Sequence, residues 1–254
     1  GLPNASLIDE NTSIFEITMR MYPHTHTVLR EHFRSVAPII QFSTQFYANR
    51  LIPLRIPKPS ERFEPPLVDV FIARAHRKGK TNPDEARFIV EEIARMIADP
   101  AHAHRDIGVV SLIGSEQAQL IESMLIDDKR IGPEKISERR LVCGDARTMQ
   151  GQERSVMFLS MVVVPGQVVS QTTKDTQQRL NVAMSRARDR VYLIRSVSLE
   201  DLKKNDLKAK VVEHFLDPMP EGRVDTDADI LDRCDSDFER EVLGMLLDAG
   251  YRAR

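Results

Sequence analysis

Two arginines in one predicted helix are the residues best suited to phosphate chemistry. Arg179 and Arg186 lie seven residues apart in a segment, Asp175 to Arg188, whose apolar side chains recur with helical spacing. Seven residues make nearly two helical turns, so we expect both guanidinium groups on one face. A guanidinium is planar, always charged and able to donate to two oxygens at once, which suits a terminal phosphate. On these residues alone, two solvated surface arginines remain the alternative.

The segment Gln150-Gly151-Gln152-Glu153 is a second candidate. It lies between two apolar runs that are typical of strands. Open α/β sheets bind ligands outside the carboxyl ends of their strands. We therefore expect this segment at the carboxyl edge of a sheet.

The tripeptide Gly79-Lys80-Thr81 resembles the end of a phosphate-binding P-loop, because it follows a predicted strand and precedes a predicted helix. A P-loop also needs a glycine at the position that Arg74 occupies, where the backbone turns tightly toward the phosphates. The predicted helix starts only at Asn82, too late to hold the lysine in its first turn. We interpret the segment as a basic hairpin or loop, and a self-contained P-loop at Lys80 is the alternative.

No metal site is expected from the histidines or the cysteines. The two His-x-His pairs, at 24 and 26 and at 102 and 104, have no evident third ligand. Cys143 and Cys234 are far apart and belong to no Cys-x-x-Cys pair, which predicts two unpaired thiols.

The middle of the chain alternates strands and helices, and this order must position the candidate residues. The predicted strands are 67–73, 107–113, 140–143, 155–163 and 190–195, and the predicted helices are 82–98, 115–127 and 175–188. Such alternation implies a largely parallel sheet with helices on both faces. We expect a lead-in over residues 1–17, one α/β domain over residues 18–216 with an irregular Pro-rich connection at 53–66, then an acidic linker over 217–234 and a helix that begins at residue 235.

Composition excludes several classes of protein. The chain has 254 residues, of which 41% are hydrophobic and 29% charged, which favours a folded globular protein over a disordered or collagen-like one. It has no apolar run of membrane-spanning length and no signal-peptide pattern at its start, so we expect a cytoplasmic protein without a membrane partner. The net charge is −2. Any contact with a polyanion must therefore be local.

Several segments resemble the sequence motifs of superfamily 1B DNA/RNA helicases. Residues 150–153 with the strand 156–160 resemble motif V, residues 178–187 resemble motif VI, and residues 32–35 resemble motif IV. Residues 107–111, followed by Gln117, are similar to the strand and turn that contact the nucleic-acid backbone in these enzymes. Their order and spacing agree with the family over residues 29–195.

The resemblance implies a RecA-like domain of the P-loop NTPase fold, the second of two motor domains. ATP and magnesium would be held mainly by the first motor domain, which this sequence does not contain. Arg186 would be the arginine finger on the ATP γ-phosphate, Arg34 a second γ-phosphate contact, and Glu153 the acceptor for a ribose hydroxyl. Gln150 and Gly151 would shape the loop that couples nucleotide to nucleic acid.

The resemblance also implies partners. Single-stranded nucleic acid, DNA rather than RNA, would contact Ser111 and Gln117, and the first motor domain of the same protein would complete the ATP site. Arg179 would either join the nucleotide site or only brace the helix. Two departures weaken the nucleic-acid contacts: Asp145 stands where motif V usually has Thr, and residues 111–114 replace the usual Thr-Pro-Tyr turn.

The end of the chain has a fainter likeness. Residues 235–241 with Gly250-Tyr251 resemble the opening helix of very-short-patch-repair-type endonuclease domains, in which Glu239 would be the helical acid. An exposed acidic helix is the alternative.

Two functions of different classes follow. The chain starts at Gly1 and stops soon after a predicted helix, so we expect a fragment of a longer protein. In the first hypothesis it is the C-terminal motor half of an ATP-dependent helicase, with the possible start of a nuclease-like domain at 235–254, and is inert alone. In the second it is a non-catalytic interaction module on a helicase scaffold.

Overall fold

The computed structural model describes residues 13–24, 27, 29–48, 50–58, 61–168, 170–218, 231, 234, 236–249 and 251. The chain divides into two compact units, Gly1–Glu31 and His32–Arg254. In the described part of the chain, no helix is long and apolar enough to cross a membrane.

The larger unit is built on a five-stranded sheet. The strands, including two short ones outside this sheet, are β1 (Glu31–His32), β2 (Ile52–Pro53), β3 (Leu67–Phe71), β4 (Ile107–Ser111), β5 (Val142–Asp145), β6 (Arg154–Ser160) and β7 (Ala187–Arg195). The sheet order is β3-β7-β6-β4-β5, and every neighbouring pair is parallel. The short strands β1 and β2 pair separately, and the amide of Leu54 donates to the carbonyl of His32 over 2.8 Å.

Helices of the larger unit cover both faces of its sheet. Among the described residues, the smaller unit contains the helix α1 (Ile14–Met21), and the larger unit contains the helices α2 (Ala37–Thr44), α3 (Pro83–Ala98), α4 (Glu116–Asp127), α5 (Gly132–Glu138), α6 (Lys174–Ser185), α7 (Leu207–Leu216) and α8 (Asp237–Asp248). Apolar residues of α2, α6 and α7 pack with one face of the sheet, and those of α3 and α4 pack with the other. This confirms the predicted α/β class, a parallel sheet between two helical layers, as expected for a RecA-like domain.

The alternation of side chains in the central strands explains the continuous apolar run in β6. Phe158 belongs to the core beneath α3 and α4, whereas its neighbour Leu159 belongs to the core beneath α2, α6 and α7. All seven residues of β6 are buried. A strand that is covered on both faces favours apolar residues at successive positions, and the run Val156–Leu159 identified β6 from the sequence.

Helix α3 has the predicted start signal. The side chain of Asn82 accepts from the amides of Asp84 and Glu85, and Pro83 occupies the first turn. The first turn also carries two acids, whose charge is favourable at the positive end of the helix dipole. The helix ends at Ala98, as predicted.

Several elements differ from the prediction. Strand β5 covers Val142–Asp145 rather than 140–143, because Arg140 and Leu141 close the turn after α5 by donating to the carbonyls of Ser137 and Ile136. No helix was predicted for the segments that form α1, α2, α5 and α7. The predicted linker falls largely on residues 219–230, which lie outside the described part of the chain, as does most of the predicted lead-in, 1–17.

Candidate functional site

Glu153 and Arg186 lie next to each other because each directly precedes one of two paired strands. Arg154 begins β6 and Ala187 begins β7, and these two residues are register partners. The amide of Arg154 donates to the carbonyl of Arg186 over 3.0 Å. Strand pairing therefore places the backbones of Glu153 and Arg186 side by side.

This position corrects one prediction. Residues 150–153 were expected at the carboxyl edge of the sheet, but they lead into the amino end of β6. The loop after β5 starts at the carboxyl edge, beyond Asp145, and crosses the sheet before β6 begins. The candidate site is therefore on the amino edge.

Arg34 joins this pair from a distant part of the sequence. Its Nε donates to Glu153 Oε2, and its Nη1 donates to the carbonyl of Ser185, the last residue of α6, over 3.4 Å. The side chains of Arg34 and Glu153 are 37% and 46% exposed, so solvent still reaches both. The structure thus brings together Arg34, Glu153 and Arg186, which we call the amino-edge cluster.

The helix α6 ends at Ser185 rather than at Arg188, and Arg186 is its C-cap residue, with backbone angles in the α-helical region (φ −87°, ψ −14°). That Arg179 and Arg186 share a face stays a prediction. Arg179 is exposed and forms an (i, i+4) ion pair of 2.6 Å with Asp175.

The guanidinium of Arg186 has hydrogen-bonding capacity to spare. Its Nε is buried, and no acceptor in the described part of the chain lies within hydrogen-bonding distance. Burial lowers the pKa of Arg186 from its usual value, and the neighbouring charge of Arg34 lowers it further, while Glu153 opposes the change. An anion bound beside the two arginines would offset the repulsion between their charges.

The loop before Glu153 is held by groups of its own sequence. Asp145 Oδ1 accepts from the amides of Arg147 and Thr148 at 3.0 and 2.9 Å, and these bonds to backbone amides, with Thr148 first, lower the pKa of Asp145. Asp145 is thus an ionised turn-forming residue, which accounts for its presence where the family has Thr. Gly151 has φ +80°, a conformation that a residue with a Cβ rarely adopts. Gln150 is exposed beside it.

Sequence reasoning missed the residues that hold the amino-edge cluster in place. Arg55 donates to the carbonyl of Arg34 and to Asp189, whose other oxygen accepts from Arg105 over 2.7 Å. Arg154 is buried and donates to the carbonyl of Glu153 and to Gln152. Arg55 falls in the connection interpreted as irregular, and no local pattern marks it.

His32 supports Arg34 from the same turn. Its Nε2 accepts from the amide of Ser35 over 2.9 Å, which requires the neutral ring. Burial and the adjacent Arg34 lower the pKa of His32 to about 4. His32 therefore stays uncharged near neutral pH and adds no third cation.

Ser111 and Gln117, the predicted nucleic-acid contacts, are both buried. The amide group of Gln117 accepts from Asn82 N over 2.7 Å and donates to the Asn82 carbonyl and to Ser160 Oγ, both over 3.0 Å. Ser111 Oγ donates to the carbonyl of Ile113. Both side chains are hydrogen-bonded to other groups of the same domain, and their contact with nucleic acid stays a prediction.

A buried polar network surrounds Gln117 at the carboxyl edge. Glu85, from the first turn of α3, accepts from Ser160 Oγ, Val162 N and Ser196 Oγ at 2.7 to 2.9 Å. Burial raises the pKa of Glu85 to about 7, although these hydrogen bonds oppose the rise. The network ties α3 to the ends of β6 and β7.

The alternative phosphate site at Lys80 lacks a free lysine. Lys80 Nζ forms an ion pair of 2.8 Å with Glu116. Lys78 and Thr81 exchange two backbone hydrogen bonds and close a tight turn around Gly79 and Lys80. The segment is the basic hairpin turn that the sequence favoured.

The terminal helix matches its expected position. α8 starts after Ser236, whose side chain accepts from the amide of Glu239 over 3.2 Å. Glu239 is exposed. The described residues therefore contain the helix of the proposed nuclease likeness, and the likeness itself stays a prediction.

The amino-edge cluster can bind an oxyanion. It holds two guanidinium groups and one carboxylate, which gives a local charge of +1 and a buried N–H donor that lacks an acceptor. Both guanidinium groups present planar donors, the arrangement that suits phosphate oxygens. The residues present therefore fit the terminal phosphate of a nucleotide that approaches from outside this domain.

Comparisons with known proteins identify the family. The profile of a family described as an AAA domain matches residues 10–198, well over half of the chain. One similar solved structure is described as the C-terminal domain of a possible DNA helicase from Lactobacillus plantarum WCFS1; it is 14% identical, with a TM-score of 0.38, and the alignment covers 65% of this chain and 88% of that one. No curated protein matches the chain. On the family match, this chain belongs to the AAA domain family.

Proposed function

We propose that this chain is the second motor domain of an ATP-dependent nucleic-acid helicase of superfamily 1B. ATP would bind between the amino-edge cluster and the first motor domain, which would supply the P-loop and the acid that holds magnesium. The observation that carries this proposal is the convergence of Arg34, Glu153 and Arg186 on one exposed edge. These three residues come from three separate motifs of the resemblance.

The roles of the residues follow from their chemistry. Transfer of a γ-phosphoryl group spreads negative charge over its oxygens, and a correctly placed guanidinium stabilises that charge. Arg186 acts as the arginine finger, and Arg34 provides the second contact. Glu153 accepts a hydrogen bond from a ribose hydroxyl. The exposed Gln150 and the left-handed Gly151 shape the adjoining loop.

Membership of the AAA domain family supports a nucleotide-driven motor over other anion-binding functions. The opposing hypothesis is an interaction module without motor chemistry. A module has no need of two arginines and a carboxylate that converge on one edge of the domain. A self-contained P-loop at Lys80 is disfavoured by the ion pair with Glu116.

The test is ATP hydrolysis by a protein that joins this domain to its P-loop domain, in the presence of single-stranded DNA. Arg186→Ala should lower kcat by a factor of about 10³ to 10⁵, the effect of losing an arginine finger in related chemistry. Arg179→Ala is the matched control, because Arg179 is an exposed arginine of the same motif, and we expect a change of less than about threefold. Equal effects of the two substitutions would contradict the assignment, and the absence of DNA stimulation would favour the module.

The proposal makes three further claims: a preference for DNA over RNA, a cytoplasmic location and a nuclease-like domain that starts at α8. Each rests on the sequence resemblance and composition. Measured ATP stimulation by matched DNA and RNA strands tests the first of these directly.

A further inference from the structure

A basic loop at the carboxyl edge of the sheet is outside the proposed nucleotide site. It spans residues 74–81, between the end of β3 and the start of α3, and we call it the basic loop. It contains four Lys and Arg residues in eight positions and no acid, namely Arg74, Arg77, Lys78 and Lys80. The whole chain has a net charge of −2, so this concentration of positive charge is local.

The basic loop has a defined conformation. Lys78 N donates to Thr81 O over 2.8 Å and Thr81 N donates to Lys78 O over 3.0 Å. Arg77 donates from Nε to the Gly79 carbonyl and from Nη1 to the Gln167 carbonyl, each over 2.8 Å. The loop is thus closed on itself and fastened to a second loop at the same edge. A preformed loop loses less conformational entropy when it binds.

Most of its charge is not neutralised. Lys80 pairs with Glu116, whereas both partners of Arg77 are carbonyl oxygens, which leave its charge in place. Arg74 and Lys78 are exposed, and neither forms an ion pair within the described residues. Arg74 and Lys78 therefore present two positive charges to solvent, and the half-buried Arg77 adds a third beside the same hairpin turn.

The neighbours of the basic loop are the segments that were expected to contact nucleic acid. Lys80 Cδ is 3.1 Å from the position that a Cβ on Gly114 would occupy, which places the loop against the turn after β4. Phe71, at the carboxyl end of β3, is 50% exposed, and the guanidinium carbon of Arg195 lies 5.0 Å from the centre of its ring.

We infer that the basic loop binds the phosphate backbone of a single-stranded polynucleotide, with Arg74, Arg77 and Lys78 as the contacts. This inference deepens the proposed function, because it assigns nucleic-acid contact to exposed cations in place of the buried Ser111 and Gln117. The contacts would lie at the sheet edge opposite the amino-edge cluster. The two ligands would then bind the same domain without competing for one surface.

The test uses the 254-residue chain and a fluorescein-labelled single-stranded DNA of 20 thymidines. Binding is measured by fluorescence anisotropy at several salt concentrations for the wild type and for the double variant Arg74→Gln/Lys78→Gln. Both side chains are exposed, so the variant should keep its fold, which circular dichroism checks. The charge-matched control is Lys129→Gln/Lys135→Gln, which removes two positive charges from the region of α4 and α5.

Loss of two phosphate contacts should reduce the slope of log K against log salt by about 1.4 and weaken binding at 0.1 M salt about 25-fold, since each contact with a single strand contributes about 0.7 to the slope. The control should bind as the wild type does. The inference is overturned if the wild-type chain does not bind the strand at 20 mM salt, if the double variant keeps the wild-type slope, or if the control loses as much affinity. Any of these results leaves the nucleotide-site proposal standing, because that proposal is tested by the dependence of ATP hydrolysis on Arg186.

Discussion

At the scale of single residues, Glu153 decides how much positive charge the amino-edge cluster presents. It neutralises Arg34 in the absence of a ligand. Glu153→Gln removes the carboxylate and leaves Arg34 and Arg186 with a net charge of +2. We expect the 254-residue chain with this substitution to bind inorganic tripolyphosphate several-fold more tightly than the wild type, measured by isothermal titration calorimetry.

The same substitution should change the charge of the amino-edge cluster without changing the stability of the fold. The Arg34–Glu153 pair is exposed, and such pairs contribute about 0 to 1 kcal/mol, so the free energy of unfolding should change little. Adding Arg34→Ala to Glu153→Gln should cancel the gain in affinity. A gain that persists in the double variant would place the anion elsewhere.

Asp189 is a second residue whose role the structure makes testable. It is buried between Arg55 and Arg105, and burial raises its pKa although both arginines oppose the rise. Asp189→Ala leaves two guanidinium groups without their carboxylate, and we expect a loss of about 3 to 5 kcal/mol in the free energy of unfolding.

Urea denaturation measures that loss, with Asp175→Ala as the control, because Asp175 pairs with Arg179 on the exposed surface. The control should cost less than about 1 kcal/mol. If the two substitutions lower the free energy of unfolding by the same amount, Asp189 does not hold Arg55 in place beneath Arg34.

The sequence predicted residues of the candidate site only where they belong to a motif of several residues. Arg34, Glu153 and Arg186 were found through three motifs, and the structure brings them together. Arg55 and Asp189 were not found, because their importance comes from burial and from partners more than 80 residues away, which no local pattern records. Ser111 and Gln117 have the expected spacing, but sequence spacing does not report which polar groups the fold uses internally.

At the scale of elements, the sequence predicted the strands of the sheet better than their surroundings. Apolar runs and the cap at Asn82 identified β3, β4, β6, β7 and α3, because each has a periodic or capping signal. The loop before β6 was assigned to the wrong edge, since the sequence does not show that this loop crosses the sheet. Strand order and register determine that crossing.

Glu85 gives the polar network between α3 and the strand ends a pH dependence. Its pKa is 4.5 without the fold and about 7 in the folded state. Between these values the folded state binds a proton that the unfolded state has released, so this group's contribution to stability is complete below pH 4.5 and is lost as the pH rises through 7. For this difference in pKa, the free energy of unfolding should fall by about 3 kcal/mol as the pH rises from 4.5 to 7.

Glu85→Gln should remove this dependence and lower stability at pH 5 by about 1 to 3 kcal/mol. The amide nitrogen of Gln has no lone pair for Asn82 Nδ2 or Val162 N, so one buried donor loses its acceptor. The measurement is the difference in unfolding free energy between wild type and variant at pH 5, 6, 7 and 8. A difference that does not shrink with rising pH would show that Glu85 is ionised throughout.

At the scale of the whole molecule, the two proposed ligands lie at opposite edges of one sheet. The amino-edge cluster precedes β6 and β7, and the basic loop follows β3, which is parallel to both. The length of the strands separates the two edges, so the substitution of an exposed side chain at one edge leaves the contacts at the other edge in place. Each such substitution should therefore affect one kinetic parameter.

This arrangement predicts a separation of effects in the protein that joins this domain to its P-loop domain. Arg74→Gln/Lys78→Gln should raise the concentration of single-stranded DNA that gives half-maximal ATP hydrolysis by about tenfold or more, since two phosphate contacts are lost. The maximum rate at saturating DNA should stay within about twofold of the wild type, because the transition-state contacts of Arg34 and Arg186 are intact. Arg186→Ala should do the reverse and lower the maximum rate at an unchanged half-maximal DNA concentration. If the loop variant instead lowers the maximum rate and leaves the DNA requirement alone, the basic loop acts on the nucleotide site, and the assignment of the two edges to two ligands is wrong.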